Sequence, residues 1–359
     1  MRRSFPGAPD AGVAVAPPGE VVGAPLANDA VPVETTGRVV GFDVLRGIAV
    51  LLVVLFHGYS LSVSDRGSEL PWLDAVNTVL LPLRMPMLML LSGLFVPRSL
   101  AKGTRRFVVG KVRTLAWPYA VWSVIMLGIY ALGSVTVGRP FSVGVFLDVF
   151  YRPLDHLWFL AYLFIYSMIA LAAKRVPTLV LSVVFWLVAM IPVPGPWAVF
   201  WDLGAFFLLG AWLAAGRLDM LVARMPTRRL AVMVAVPLAL VVIAALLVDP
   251  LQWRIYSAPL AAVAIVAVVV AASRAGRLRG LSGMALIGRH SVVVYLVHWP
   301  VALVLSEVIS DATTLSLPWV TSTVTVLALL ASFVAVWGSV KSPVVRALFV
   351  APAPFTRAR

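Results

Sequence analysis

The sequence predicts an all-α, polytopic membrane helical bundle of about ten transmembrane helices, with both termini in the cytoplasm. Three observations carry that expectation. Of 359 residues, 61% are apolar and only 12% are charged, with a mean hydropathy of +0.99. Soluble domains carry about 25% charge, so a water-soluble globule is excluded. Apolar runs of about 17 to 25 residues recur, enough at 1.5 Å per residue to cross about 30 Å of hydrocarbon. The cations are segregated as well. With the N-terminus inside, 24 of the 29 Lys and Arg lie on the inner side, four (Arg66, Arg139, Arg152 and Arg254) lie outside, and Arg84 sits within a span. The positive-inside rule then fixes the orientation. It also explains the net charge of +14 as topology, so no nucleic-acid partner is needed.

Residues 1–40 are rich in Pro, Gly, Ala and Val without any period, and read as a flexible cytoplasmic tail. Arg2-Arg3-Ser4-Phe5 looks like a twin-arginine start, but Pro6 and Asp10 stand where an apolar stretch should begin, so no cleaved signal is expected. Ten hydrophobic segments follow, at about 44–63, 72–96, 115–135, 157–173, 177–193, 197–215, 230–248, 255–273, 286–309 and 317–340. They define a membrane domain over 41–341, followed by a short cytoplasmic tail at 342–359. The one outer loop of any length is about 136–156, so any chemistry belongs inside the bundle. No internal repeat of the kind found in two-fold transporters is visible. With no cysteine there is no disulfide and no thiolate nucleophile. His57, His156, His290 and His298 are the groups that ordinarily titrate near neutrality.

An ionisable side chain at membrane depth is expensive unless it faces the bundle interior, so such positions are the default candidates. In the first span Asp43 is placed as N-cap, and Arg46 three residues on can pair with it. Arg46 and His57 are eleven residues apart, within about 20° of whole turns and about 16 Å along the axis. They share a face, one at the cytoplasmic end and the other near mid-membrane. A cation at the entrance and a proton acceptor inside suit a reaction with an anionic cytoplasmic donor. Equally, Arg46 could be a topological anchor and His57 an interhelical hydrogen-bond partner. In the second span Pro82 and Pro86 flank Arg84, which predicts a broken helix around a lined cavity. A buried ion pair of Arg84 with Asp202 is the alternative, and the neighbouring methionines read as core filling. In the ninth span Tyr295 and His298 share a face ahead of a kink at Pro300. Counting residues puts His298 at the depth of His57 and Arg84, either in a site or capping carbonyls freed by Pro300. His290, near the inner surface, reads as structural. His156 beside Asp155 falls at the outer mouth, where lid or acceptor contacts are possible. The basic stretch 98–113 could hold phosphates or be only a topology signal. No metal is expected, because the histidines lack carboxylates at ligand spacing.

Taken in order, these pieces resemble the membrane-bound acyltransferase 3 family, ten-span enzymes that modify sugars and cell-surface glycans. The resemblance rests on Phe42-Asp43-Val44-Leu45-Arg46-Gly47 with His57; Arg84-Met85-Pro86 through Leu91-Ser92-Gly93; Lys111-Val112-Arg113 with Trp117-Pro118-Tyr119; His156-Leu157-Trp158-Phe159-Leu160; and Ile287-Gly288-Arg289-His290-Ser291 with Tyr295-Leu296-Val297-His298. It covers about 40–340. The chain departs from the family at Met87-Leu88-Met89, where many members carry consecutive phenylalanines. The resemblance implies that His57 is the essential acid/base residue and that Arg46 supports an acyl-CoA donor. Arg84 or His298 is then a candidate for stabilising the oxyanion. Asp43, Ser92, Arg113, His156, Trp158, Arg289 and Tyr295 join Arg46 as candidate substrate contacts. The function so implied is O-acyl transfer, most simply acetyl transfer, from cytosolic acyl-CoA to a hydroxyl of a carbohydrate, glycan or glycolipid. The protein would sit in the bacterial inner membrane among its lipids, with no tightly bound cofactor. The competing class is a transporter of a small anion or proton-coupled solute that uses Arg84 and the mid-membrane histidines.

Overall fold

The computed structural model describes residues 40–67, 69–136, 144–191, 197–247, 257–274 and 280–352. The expected N-terminal tail, Arg139, Arg254 and the end of the C-terminal tail lie outside these residues. The described residues fold entirely as helices and connecting turns. The long apolar runs supply α1 (Val40–Arg66), α2 (Pro71–Gly93), α5 (Trp117–Thr136), α7 (Trp158–Ala172), α9 (Trp197–Leu213), α11 (Thr227–Leu247), α14 (Ser291–Ala312) and α15 (Leu317–Lys341). Shorter pieces join them: α3 (Val96–Leu100), α4 (Thr104–Lys111), α6 (Gly144–Tyr151), α8 (Thr178–Ala189), α10 (Arg217–Arg224), α12 (Ala258–Arg274), α13 (Ser282–Arg289) and α16 (Pro343–Ala347).

Among the described residues, seven helical stretches are long and apolar enough to cross a membrane, or eight if the bent α9–α10 pair is one span. Each expected segment overlaps a helix, but the count of ten spans is not reached: α7 qualifies only together with α6, α9 only together with α10, and two helices stay too short. α8 has 12 residues and α12 has 17, and the former spans only about 18 Å. Pro177 precedes α8 and a proline-rich run at 192–196 follows it in sequence, which limits its length.

Two local expectations are corrected. Asp43 lies in the first turn of α1, which begins at Val40, and not at its cap. α2 runs unbroken through Pro82 and Pro86, against the expected break; the kink expected at Pro300 falls inside the continuous α14. Each proline removes one backbone bond, and in a packed bundle the remaining bonds and neighbouring helices hold the helix together. Within the expected short C-terminal tail, residues 342–352 pack against the bundle. Arg113 donates from Nε and Nη2 to the carbonyl of Ala351 at 3.0 and 2.8 Å, Trp117 and Trp122 donate to the carbonyls of Ala347 and Leu348, and Phe349 is buried.

α1 is the central helix, packed against α2, α12, α13, α14 and α15. Small residues permit this closeness. A Cβ on Gly288 would stand 1.7 Å from the Asp43 carbonyl oxygen, and one on Gly47 would stand 2.0 Å from that of Met284. The variant Gly288→Val should therefore push α1 and α13 apart, at a cost of about 1–3 kcal/mol or more from overpacking. A thermal midpoint equal to wild type would refute this contact. At the other end of α1, Tyr59 donates to Asp74 Oδ2 at 2.7 Å and accepts from the Leu70 N–H at 2.9 Å. This pins the turn from α1 to α2 and fixes how these two helices face each other.

Candidate functional site

His57, two residues before Tyr59 of the clasp with Asp74, points from α1 toward α14. Its Nδ1 lies 2.8 Å from Nε2 of His298, and the two rings are stacked with centroids 5.1 Å apart. Nδ1 of the buried His298 lies 3.1 Å from the carbonyl oxygen of Val294. Chemistry dictates the proton arrangement for two neutral rings. A carbonyl only accepts, so His298 carries its proton on Nδ1 and accepts at Nε2. The shared proton then belongs to His57 Nδ1, and the lone pair of His57 is on Nε2. The His298 ring bonds the Val294 carbonyl, whereas the carbonyl freed by Pro300 is that of Leu296, four residues before the proline. His298 is thus oriented toward His57 and is not capping the proline.

His57 lines an internal cavity of about 170 Å³ with Arg84, Tyr295, Trp158, Phe56, Met85 and three aliphatic side chains. Arg84 is 4% exposed. Its Nη1 donates to Oδ1 of Asn77 at 2.7 Å, and its guanidinium lies 4.2 Å from the Phe56 ring centre. Asn77 and Arg84 are seven residues apart, two turns of one helix. That spacing is visible in the sequence, where Asn77 is an uncharged polar residue in a largely apolar run. Asp202 is buried in α9, while the side-chain acceptor that holds Arg84 Nη1 is Asn77. Of the methionines, Met89 is fully buried in the core and Met85 forms part of the cavity wall.

His156 is buried inside the bundle. The segment expected to be an outer loop folds from Gly144 as α6, and 144–172 is apolar enough to be a span, because Phe146, Leu147, Val149 and Phe150 form an apolar helix. His156 follows in a short 3₁₀ turn (Asp155–Leu157) and is 1% exposed. Its ring centre is 5.7 Å from that of His298 and 5.4 Å from that of Tyr295, and its carbonyl accepts the Tyr295 hydroxyl. Trp299 packs edge-on to His57 at 4.6 Å and stacks on His156 at 5.7 Å. Sequence reasoning had missed Trp299. Among the described residues no group of three or more His, Asp or Glu has a metal-binding arrangement.

The remaining candidates lie apart from this cavity. Arg46 donates from Nη2 to the Leu91 carbonyl at 3.1 Å and lies over the Phe95 ring at 4.7 Å. Ser92 bonds back to the Leu88 carbonyl within its own helix. Asp43 is buried where α1 meets α13. Arg113, within a π-helical turn at Val112–Ala116, holds the C-terminal segment as described. Such turns occur often at functional sites. Arg289 and His290, at the break between α13 and α14, line a separate cleft of about 400 Å³ with Thr114, Ser339 and Arg346. Arg98, Lys102, Arg105 and Arg106 are exposed on the α3–α4 stretch.

A family model described as an acyltransferase domain matches residues 39–337. No curated protein and no solved structure matches the chain.

Proposed function

The chain belongs to the acyltransferase 3 family, and on that premise we propose that this membrane acyltransferase moves an acyl group, most simply acetyl, from cytosolic acyl-CoA to a hydroxyl of a carbohydrate, glycan or glycolipid. The observation that carries the reading is the chain Val294 carbonyl, His298, His57, which leaves His57 Nε2 as a base in a cavity shared with Arg84. The acceptor hydroxyl donates to His57 Nε2 as its oxygen attacks the thioester carbonyl. Negative charge develops on the carbonyl oxygen, and the Arg84 guanidinium is the nearby permanent cation in that cavity. Collapse breaks the carbon–sulfur bond, and the imidazolium of His57 returns its proton to the departing thiolate. The products are an ester and free CoA, with no covalent enzyme intermediate.

A cavity of about 170 Å³ suits a two-carbon acyl group better than a long chain. The inward bias of the cations supports an inner-membrane protein with both ends in the cytoplasm, and Arg46 with the exposed α3–α4 cations suits the CoA phosphates. The direct test is the purified protein in liposomes with labelled acetyl-CoA and a panel of glycans. CoA release matched by base-labile ester is the expected result, and no ester on any hydroxyl acceptor would overturn the reading.

His298 acts here as a positioning residue. His298→Ala should lower kcat by about 10- to 100-fold, as loss of an orienting partner does, with little change in KM. His298→Gln, whose amide oxygen can accept from His57 Nδ1, should recover part of the rate. Equal losses in both variants would mean that its role is packing alone.

A further inference from the structure

A second, larger cavity of about 760 Å³ lies between the start of α5, the end of α6, α7 and the start of α9. Resting on the acyltransferase reading, we propose that this groove binds the acceptor, and that the acceptor is a lipid-anchored sugar whose ring is joined through a phosphate to a hydrocarbon chain.

The walls dictate an amphiphile. They are mostly aromatic and aliphatic, including Phe150, Tyr162, Ile165 and Trp197. α6 buries none of its own residues, and Phe150 and Tyr151 are 86% and 71% exposed. In a membrane protein such a helix faces lipid, so the groove is reached sideways from the bilayer. A hydrocarbon chain fits that surface. A single arginine, Arg152, stands among its lining residues. One guanidinium complements one phosphate. The same count argues against the CoA head, which brings several anionic groups, while the exposed cations cluster on α3–α4.

Trp158 selects a sugar as the head. It lines both this groove and the His57 cavity, so it is the partition between them. Its ring and that of Tyr162 lie edge to face with centres 5.3 Å apart. Together they offer aromatic faces against which the C–H face of a sugar ring packs. A sugar seated there presents its hydroxyls to the partition, and a turn of the Trp158 side chain opens the path to His57. Groove and cavity together are of a size for a sugar and part of its anchor, since ligand sites run to about 300–1,000 Å³.

The test is photolabelling of the detergent-solubilised full chain with geranylgeranyl phosphate-linked glucose carrying a diazirine in its chain. Label is expected on peptides covering 149–165 and 197–200. Ala161→Trp, which fills the groove, and Arg152→Gln at its rim should each reduce labelling about tenfold, the scale of one lost charge-assisted contact. Arg152 is exposed, so that variant reports even if the filled one fails to fold. Label spread evenly over the lipid-facing helices, or competed equally by phosphatidylglycerol, would overturn the proposal. Transfer to water-soluble sugars without groove labelling would overturn it while sparing the acyltransferase reading. Specific labelling without acyl transfer to any hydroxyl would leave the site standing and overturn the chemistry.

Discussion

Replacing His57 by glutamine should lower acyl transfer by about 10²–10⁴, the usual contribution of a positioned general base. Glutamine is the informative choice because its amide N–H can replace the Nδ1–H that His57 gives to His298 Nε2 at 2.8 Å. The hydrogen-bond chain to Val294 then survives, and what is lost is the lone pair on Nε2. His57→Ala should be as slow, and it also removes a ring that packs on Trp299 and Phe56. Leaving His298 Nε2 without its donor adds a stability cost of about 1–3 kcal/mol. Initial rates of CoA release, read beside thermal midpoints, separate the two effects. Added imidazole should restore part of the rate of the alanine variant, because the vacated space adjoins the cavity. A glutamine variant within tenfold of wild type would place the base elsewhere.

Which parts were legible in the sequence follows from what kind of physics fixed them. Apolar length alone marks α1, α2, α5 and α14, because backbone groups in lipid have no other partner than their own helix. Counting turns placed His57, Arg84 and His298 at one depth, and His57 and Arg84 now share a cavity wall while His298 bonds His57. Helix periodicity is enough for that. The neighbours of His156 are not legible in the sequence, because only tertiary packing brings its ring against Tyr295 and His298. The docking of the C-terminal segment is illegible for a similar reason: its hold on the bundle comes from backbone carbonyls accepting from Arg113, Trp117 and Trp122. Side-chain-to-carbonyl contacts leave no trace in sequence pattern. The proline rule misled in α2 because it counts lost bonds and ignores the neighbours that cover them.

The second large effect concerns Arg84. Changing it to methionine keeps most of the side-chain volume and removes the charge, and kcat should fall by about 10²–10³, the cost of one oxyanion-stabilising donor. The change also takes the donor from Asn77 Oδ1, a stability cost of about 1–3 kcal/mol, so thermal midpoints are read beside the rates to separate folding from chemistry. Arg84→Lys keeps a cation but loses the planar fork that both bonds Asn77 and lies on Phe56, so it should recover only part of the loss. The decisive quantity is how the loss divides between kcat and KM. A group that acts on charge developing in the transition state lowers kcat and kcat/KM together. If KM for the donor rises while kcat holds, Arg84 binds the ground state, and the stabilising donor must be sought among the other cavity-lining groups, with the Tyr295 hydroxyl excluded because it is committed to the His156 carbonyl.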